Sequence, residues 1–311
     1  MSLTRAIWNS IRPGNLLIIV FTMVAIWFVL SQLLGVTLDP KYAAWGMVSL
    51  ILIAASGNMI NDVVDQPCDE QSGKQRNPVG NTISKKNAIW IAITLGLFGL
   101  AITLIGILFL QSNVLILLLL AVTLALLWFY SYTLQKIHFL GNFTVAVLCT
   151  VPILICSLSY GINPLTFDSS PLIPEKLQLI DDILIFYMSF AFLLTLIREF
   201  VKDIEDLEGD ASCGLRTLPV AIGLERSRMV LIIGILIAIA IETAALVLIR
   251  GSSQLISSSW PLILSNMILP LTIILVQSVH MKTSEQAGRI SSLLKITMLF
   301  GLSTCLFFAF L

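Results

Sequence analysis

Two stretches of this 311-residue chain carry carboxylates at one repeated spacing. In "NMINDVVDQPCD", Asn58, Asp62, Asp65 and Asp69 fall at offsets 0, 4, 7 and 11, with Asn61 between them. In "REFVKDIEDLEGD", 141 residues further on, Glu199, Asp203, Asp206 and Asp210 fall at the same offsets. At about 100° per residue those offsets put each set on one stripe of a helix, and Asn61 and Lys202 share the face of their own set. Pro67 interrupts the first set, so the helix there is expected to end or kink near Gln66, leaving Asp69 to the following turn. A single set would read as a solvated helix end. Two identical sets ask for a shared ligand, because aspartates repel one another and each costs about 2.5–3.5 kcal/mol at a bilayer centre. Facing stripes of oxygen donors suit a hard cation. Mg2+ takes one or two carboxylates, keeps waters and bridges to substrate phosphates. Lys74, Arg76, Arg198 and Lys202 lie nearby in the chain, where they would hold the phosphate oxygens that a metal leaves free.

The elements that must position these residues are membrane helices. Hydrophobic residues make up 57% of the chain and charged residues 12%, against about 25% charged in soluble domains. The reading is an all-α, polytopic membrane protein forming a single domain over 1–311. Runs of about 20 apolar residues are needed to cross the hydrocarbon core. Nine are found, at about 15–35, 43–62, 88–110, 113–131, 141–160, 182–202, 229–249, 260–280 and 292–311. The first run is too long for a cleaved signal and lacks a small-residue cleavage site. With nine spans, fifteen Lys and Arg residues fall on the side of the N-terminus and three (Lys41, Lys176 and Arg250) on the other. The positive-inside rule then puts the N-terminus and both acidic sets in the cytoplasm and the C-terminus outside, with the cell inner membrane as the expected location. Lys+Arg and Asp+Glu both total 18, and no basic block interleaved with aromatics supports nucleic-acid binding. The five cysteines form no CxxC pair. They are expected to be small buried hydrophobes, with no disulfide framework and no zinc site. Small-residue spacing is not prominent enough to mark a dimer face, and the oligomeric state stays open. Glu242, inside the seventh span, is an isolated intramembrane acid outside both motifs.

A Mg2+ site at the membrane interface with an apolar chamber beside it suits an isoprenoid diphosphate, whose head is doubly phosphorylated and whose tail is hydrocarbon. The rival class is an ion-coupled transporter, which intramembrane acids also mark. Here the second and sixth spans run the same way, and their acids sit at one face rather than the midplane. Both points favour an enzyme.

"NDVVDQPCD" and "DIEDLEGD" resemble the two aspartate motifs of the UbiA superfamily of intramembrane prenyltransferases, and the likeness covers essentially the whole chain. "IRPGN" at 11–15, "YSYTLQKIHFLGN" at 130–142 and "TLPVAIG" at 217–223 are further family-like stretches. The resemblance implies nine spans and Mg2+-dependent transfer of a prenyl group from an isoprenoid diphosphate to a lipophilic acceptor. Asn61, Asp62, Asp65 and Asp69 would hold one Mg2+, and Asp203, Asp206 and Asp210 the other. Lys74 and Arg76 would contact the diphosphate. Tyr130 or Tyr132 would steady an allylic cation, and Lys202 would stabilise the leaving group. Many members have Lys where Gln135 stands, and Lys136 is the expected substitute. The second motif followed by "TLP" is most similar to the branch that alkylates geranylgeranylglyceryl phosphate. Branches with aromatic acceptors of quinone or chlorophyll synthesis are the alternative.

Overall fold

The computed structural model describes residues 1–36, 40–71, 77–110, 112–137, 139–162, 174–250 and 261–307. Among these residues there are nine helices long and apolar enough to cross a membrane, so the chain is an integral membrane protein. A short amphipathic helix, α1 (Leu3–Ser10), is capped by the Ser2 hydroxyl and precedes the first span, α2 (Pro13–Leu34). The next spans are α3 (Pro40–Gln71), α4 (Lys85–Leu110) and α5 (Leu115–Tyr132). The fifth span is split into α6 (Leu140–Leu148) and α7 (Val151–Ser159). After it come α8 (Pro174–Glu205), two short helices α9 (Leu207–Ser212) and α10 (Leu218–Ile222), and the span α11 (Leu224–Arg250). The spans α12 (Pro261–His280) and α13 (Ser284–Phe307) complete the described bundle.

Every expected span is present, and the differences lie at the ends. α3 runs on to Gln71, α8 to Glu205, and α13 begins at Ser284. Hydropathy sees only the part of a helix that lies in hydrocarbon, whereas these helices continue into water. The expected break at Pro67 is corrected: α3 passes through it. Pro67 sits one turn from the helix end. That last turn is held from outside by Asn77 Nδ2, which donates to Asp69 Oδ2 at 2.9 Å, and by Gln71 Nε2, which donates to the Ser212 carbonyl at 3.0 Å. The fifth span breaks where Pro152 removes the donor for the Leu148 carbonyl; Thr150 N–H turns instead to the Val147 carbonyl, three residues back.

The core is formed by α2, α3, α7, α8 and the last three spans around Trp27, Ile53, Tyr187 and Leu294, all buried. α3 is central, with 56% of its apolar window buried, whereas α4 and α5 are peripheral at 22% each. Leu97, Phe98 and Phe109 of α4 face outward, as lipid-facing residues do. Lipid supplies no hydrophobic drive between helices, so close packing must hold α4 in place. Its buried face is a stripe of small residues: Ala88, Ala92, Gly96, Gly99, Thr103 and Gly106. This stripe seats α4 on α3 of the same chain. Trp45 Nε1 donates to the Ile102 carbonyl at 2.7 Å, and Ser56 Oγ donates to the Ala92 carbonyl at 2.7 Å.

The stripe makes a direct prediction. A Cβ at Gly106 would fall on the Trp45 indole, while one at Gly234 meets nothing within 4 Å. Gly106→Val should destabilise the detergent-solubilised protein by about 1–3 kcal/mol, as overpacked cores do, and Gly234→Ala should leave its melting temperature unchanged. Equal melting temperatures for both variants would remove the stripe as the α3–α4 contact.

Candidate active site

The two acidic sets sit at the ends of α3 and α8, and the chain joins those ends covalently. Cys68, within the first motif, is bonded to Cys213, three residues beyond the second. The expectation that all the cysteines are inert buried hydrophobes is thereby corrected for this pair. Two thiols 145 residues apart carry no sequence signal of pairing; only the fold brings their helix ends together. The hydrogen bond from Gln71 to Ser212 runs beside the bridge. Cys156 and Cys305 are buried free thiols as expected, whereas Cys149 is exposed.

In the first motif the carboxylates are held mainly by neutral amides. Asn61 Nδ2 donates to Asp65 Oδ2 at 2.6 Å, and Gln135 Nε2 donates to Asp65 Oδ1 at 2.9 Å. Asn61 Nδ2 also reaches Gln135 Oε1 at 3.2 Å, closing a three-residue ring. Asn77 Nδ2 donates to Asp69 and to the Asp62 carbonyl, while its Oδ1 accepts from Val79 N–H at 3.0 Å. Asp62 is the exception, accepting from Arg12 Nη2 at 3.0 Å. Arg12 is held in the left-handed region at φ 54°, the one non-glycine so placed among the described residues. The following Pro13 disfavours the right-handed helical region for it, and Asn58 Nδ2 anchors the turn by donating to the Ile11 carbonyl at 2.9 Å. Burial works against the Arg12 charge, but the Asp62 and Asp65 carboxylates outweigh it and raise its pKa above the ordinary value.

The second motif is built differently. α8 ends at Glu205, Asp206 occupies the junction, and Asp210 belongs to α9. The stripe expected on one helix is therefore shared between two, although the junction keeps helical hydrogen bonds from Asp206 N–H to Lys202 and from Asp210 N–H to Asp206, both 2.8 Å. Asn142 Nδ2, from α6, donates to Asp203 Oδ2 at 2.7 Å. Deeper in α8, Glu199 accepts from Arg198 Nη1 at 2.6 Å and from Lys202 Nζ at 3.0 Å.

Between the motifs, Tyr130 lies within electrostatic reach of Glu199, Asp203, Asp65 and Arg12. Cys149, at the break in the fifth span, lies within electrostatic reach of Glu199, Arg198 and Lys202. α5, α6 and α8 thus bring Tyr130, Cys149, Glu199 and Asp203 together beside the bridged motif ends. Tyr132 is 48% exposed at the end of α5. Gln135 itself reaches Asp65, and Lys136 is exposed beside it. Lys74 and Arg76 lie outside the described residues. Glu242 sits apart between α8 and α11, accepting from Ser189 Oγ at 3.0 Å.

Sequence reading left Arg12, Asn77, Gln135 and Asn142 out of the site. Arg12, Gln135 and Asn142 lie in segments visible only as family-like stretches, and Asn77 carried no signal. The donor set fits Mg2+: its available ligands are carboxylate and amide oxygens, several of them oriented by a second polar group. Among the described residues no three His, Cys, Asp or Glu side chains are already gathered as a metal site.

Among the described residues, a bundle of apolar helices gathers its two acid-rich motifs at one end, an arrangement that suits an intramembrane enzyme. The family model of the UbiA prenyltransferase family matches residues 16–301, and the chain belongs to that family and is a prenyltransferase. It is 32% identical over 256 residues to the digeranylgeranylglyceryl phosphate synthase of Korarchaeum cryptofilum, covering 81% of this chain and 80% of that one. The corresponding protein of Methanopyrus kandleri is 28% identical over 96% of this chain and 97% of its own. A UbiA homologue from Archaeoglobus fulgidus, solved with DMAPP and Mg2+, shares the fold with a TM-score of 0.60 at 18% identity, over 96% of this chain and 98% of that one.

The bridge between the motifs is countable. Alkylation of the unfolded, unreduced protein should modify three cysteines, Cys149, Cys156 and Cys305, and alkylation after reduction should modify all five. Mass spectrometry finding five modified residues before reduction would dissolve the bridge.

Proposed function

We propose that the chain transfers a geranylgeranyl group from geranylgeranyl diphosphate to geranylgeranylglyceryl phosphate, in a Mg2+-dependent reaction within one domain. The observation that carries the reaction type is the bridged pair of acidic helix ends beside the chamber at Tyr130. The acceptor is supported by the relatives, several of which are digeranylgeranylglyceryl phosphate synthases. Asn61, Asp62, Asp65 and Asp69 would hold one Mg2+ and Asp203, Asp206 and Asp210 a second. When bound, these ions would offset the negative charge that builds on the diphosphate as its bond to C1 breaks.

The chain's own residues do the rest. Asn61, Gln135 and Asn142 fix the carboxylates without neutralising them. Lys74 and Arg76 supply positive charge to the diphosphate, with Lys136 at the chamber rim. The Tyr130 ring presents its face to the allylic cation, with Tyr132 as the outer alternative. Apolar helix faces keep water from capturing that cation. The free hydroxyl of the acceptor bonds to C1, giving an ether, diphosphate and a proton. The charge asymmetry between the two sides supports a cytoplasmic N-terminus, an outer C-terminus and a site opening to the cytoplasm, in the cell's inner membrane.

Two measurements test this. Purified protein given Mg2+ and geranylgeranyl diphosphate should form a diether with geranylgeranylglyceryl phosphate and no product with 4-hydroxybenzoate or 1,4-dihydroxy-2-naphthoate. EDTA should abolish the reaction. Asp65→Asn should slow it by about 100-fold or more, given that even outer-shell partners of metal ligands are worth 10–100-fold. Product with an aromatic acceptor alone would move the enzyme to quinone or chlorophyll synthesis. For orientation, alkaline phosphatase fused to the C-terminus should be active in cells; an inactive fusion would reverse the topology.

A further inference from the structure

Glu199 accounts for only part of the charge around it. It is paired with both Arg198 and Lys202. Lys295, from α13, interacts electrostatically with Arg198, Lys202, Glu199 and Glu205. The packing of α13 on α8 agrees. A Cβ at Gly288 would touch Glu205, and one at Gly301 would touch Phe190. The two helices therefore run antiparallel, and counting in from both contacts puts Lys295 at the level of Arg198. Lys295 is exposed, next to the buried Leu294 and one turn from the buried Ser291.

Three cations thus gather around Glu199, with Glu205 near Lys295 and Asp203 near Lys202. Like charges this close repel one another where water is scarce, and such a cluster is retained where an anion comes to meet it. The Arg198 side chain adds a second, independent sign. It is only 9% exposed, and its Nε is buried without a hydrogen-bond partner. A buried guanidinium N–H left open asks for an acceptor that the protein itself does not provide.

We infer that Arg198, Lys202 and Lys295 form an anion site distinct from the paired aspartate motifs, and that it takes the phosphate of the lipid acceptor. Three cations converging on one point suit a phosphate monoester of charge about −1.5 to −2 at neutral pH. Arg198 lies five residues deeper along α8 than Asp203, about 7.5 Å of helix rise. That separation keeps the acceptor phosphate off the diphosphate while leaving both within one chamber. Lys295 becomes a specificity-determining residue, selecting a phosphorylated acceptor over an uncharged one. The assignment of the ligand rests on the acceptor proposed above; the anion site itself does not.

Kinetics with both substrates decide the assignment. Lys295→Met should raise the KM for geranylgeranylglyceryl phosphate by about 10-fold or more, the worth of a charge-assisted hydrogen bond, and leave the KM for geranylgeranyl diphosphate within about 2-fold. Lys295→Arg should restore the acceptor KM. A rise in the donor KM instead would hand these cations to the diphosphate, and no change in either would remove Lys295 from the site; both overturn the inference. A second arm uses inorganic phosphate in EDTA, where metal-bridged binding is absent. Phosphate should raise the melting temperature of the wild type and not that of Lys295→Met. If the wild type uses no phosphorylated acceptor, the proposed function fails, and this arm still upholds or overturns the anion site. Failure of phosphate to stabilise the wild type, or equal stabilisation of both proteins, overturns it.

Discussion

A carboxylate at the mouth of an apolar bundle must keep its charge if it is to attract a metal, yet that charge needs hydrogen-bond donors once water is scarce. Pairing with Arg or Lys satisfies the oxygens and cancels the charge as well. An amide satisfies them and leaves the charge in place. Asp65 and Asp203 both take the second route, through Asn61 and Gln135 in one case and Asn142 in the other. Much of the architecture follows from delivering those amides. The turn after α5 carries Gln135, and α6 presents Asn142 to α8. Asn77, eight residues beyond Asp69, donates to it.

The two motifs match in sequence but not in structure, and the difference begins at the leading position of each set. Asn58 is spent on the backbone, fixing the turn that presents Arg12 to Asp62. Glu199, its counterpart, gathers Arg198 and Lys202. The helix around the first set is continuous through Pro67, whereas the second set is divided between α8 and α9. A duplicated acid pattern thus ends in two unlike environments. One is mainly anionic; the other gathers Arg198 and Lys202 around Glu199 a turn deeper. The repeat marks both acid sets in the sequence, and the residues outside the repeat make their surroundings differ.

The spans and the acid stripes were legible because each rests on a local, periodic signal. Hydropathy marks a helix wherever it lies in hydrocarbon, and an acid stripe repeats with the helical period. What escaped lacks period. Cys68 and Cys213 look like any two thiols until α3 and α9 are neighbours. Gln135 and Asn142 are lone amides in a loop and a short helix, and their value comes from Asp65 and Asp203, which stand far from them in sequence. The helix through Pro67 also contradicts local expectation, because tertiary hydrogen bonds to its last turn outweigh the missing backbone bond. The small-residue stripe of α4 was present in sequence at helical spacings of three and four, but nothing in the stripe says which helix it meets. Its partner proved to be α3, within the same chain.

The one-sidedness of the site bears on why this chemistry sits in a membrane. α3 and α8 run in the same direction, so both acid sets lie at one face, joined there by Cys68 and Cys213. A carrier that alternates access needs its binding groups near the midplane, in elements that rock against each other; a covalent link between the two acid-bearing ends opposes such rocking. A fixed polar floor at one face suits a different task. Charged heads can enter from the water side and meet groups that are already oriented, while hydrocarbon tails extend along the bundle and need never leave an apolar medium. The tails bring binding energy from the lipid side, the heads are held by charge, and the bond that is made lies where the two environments meet.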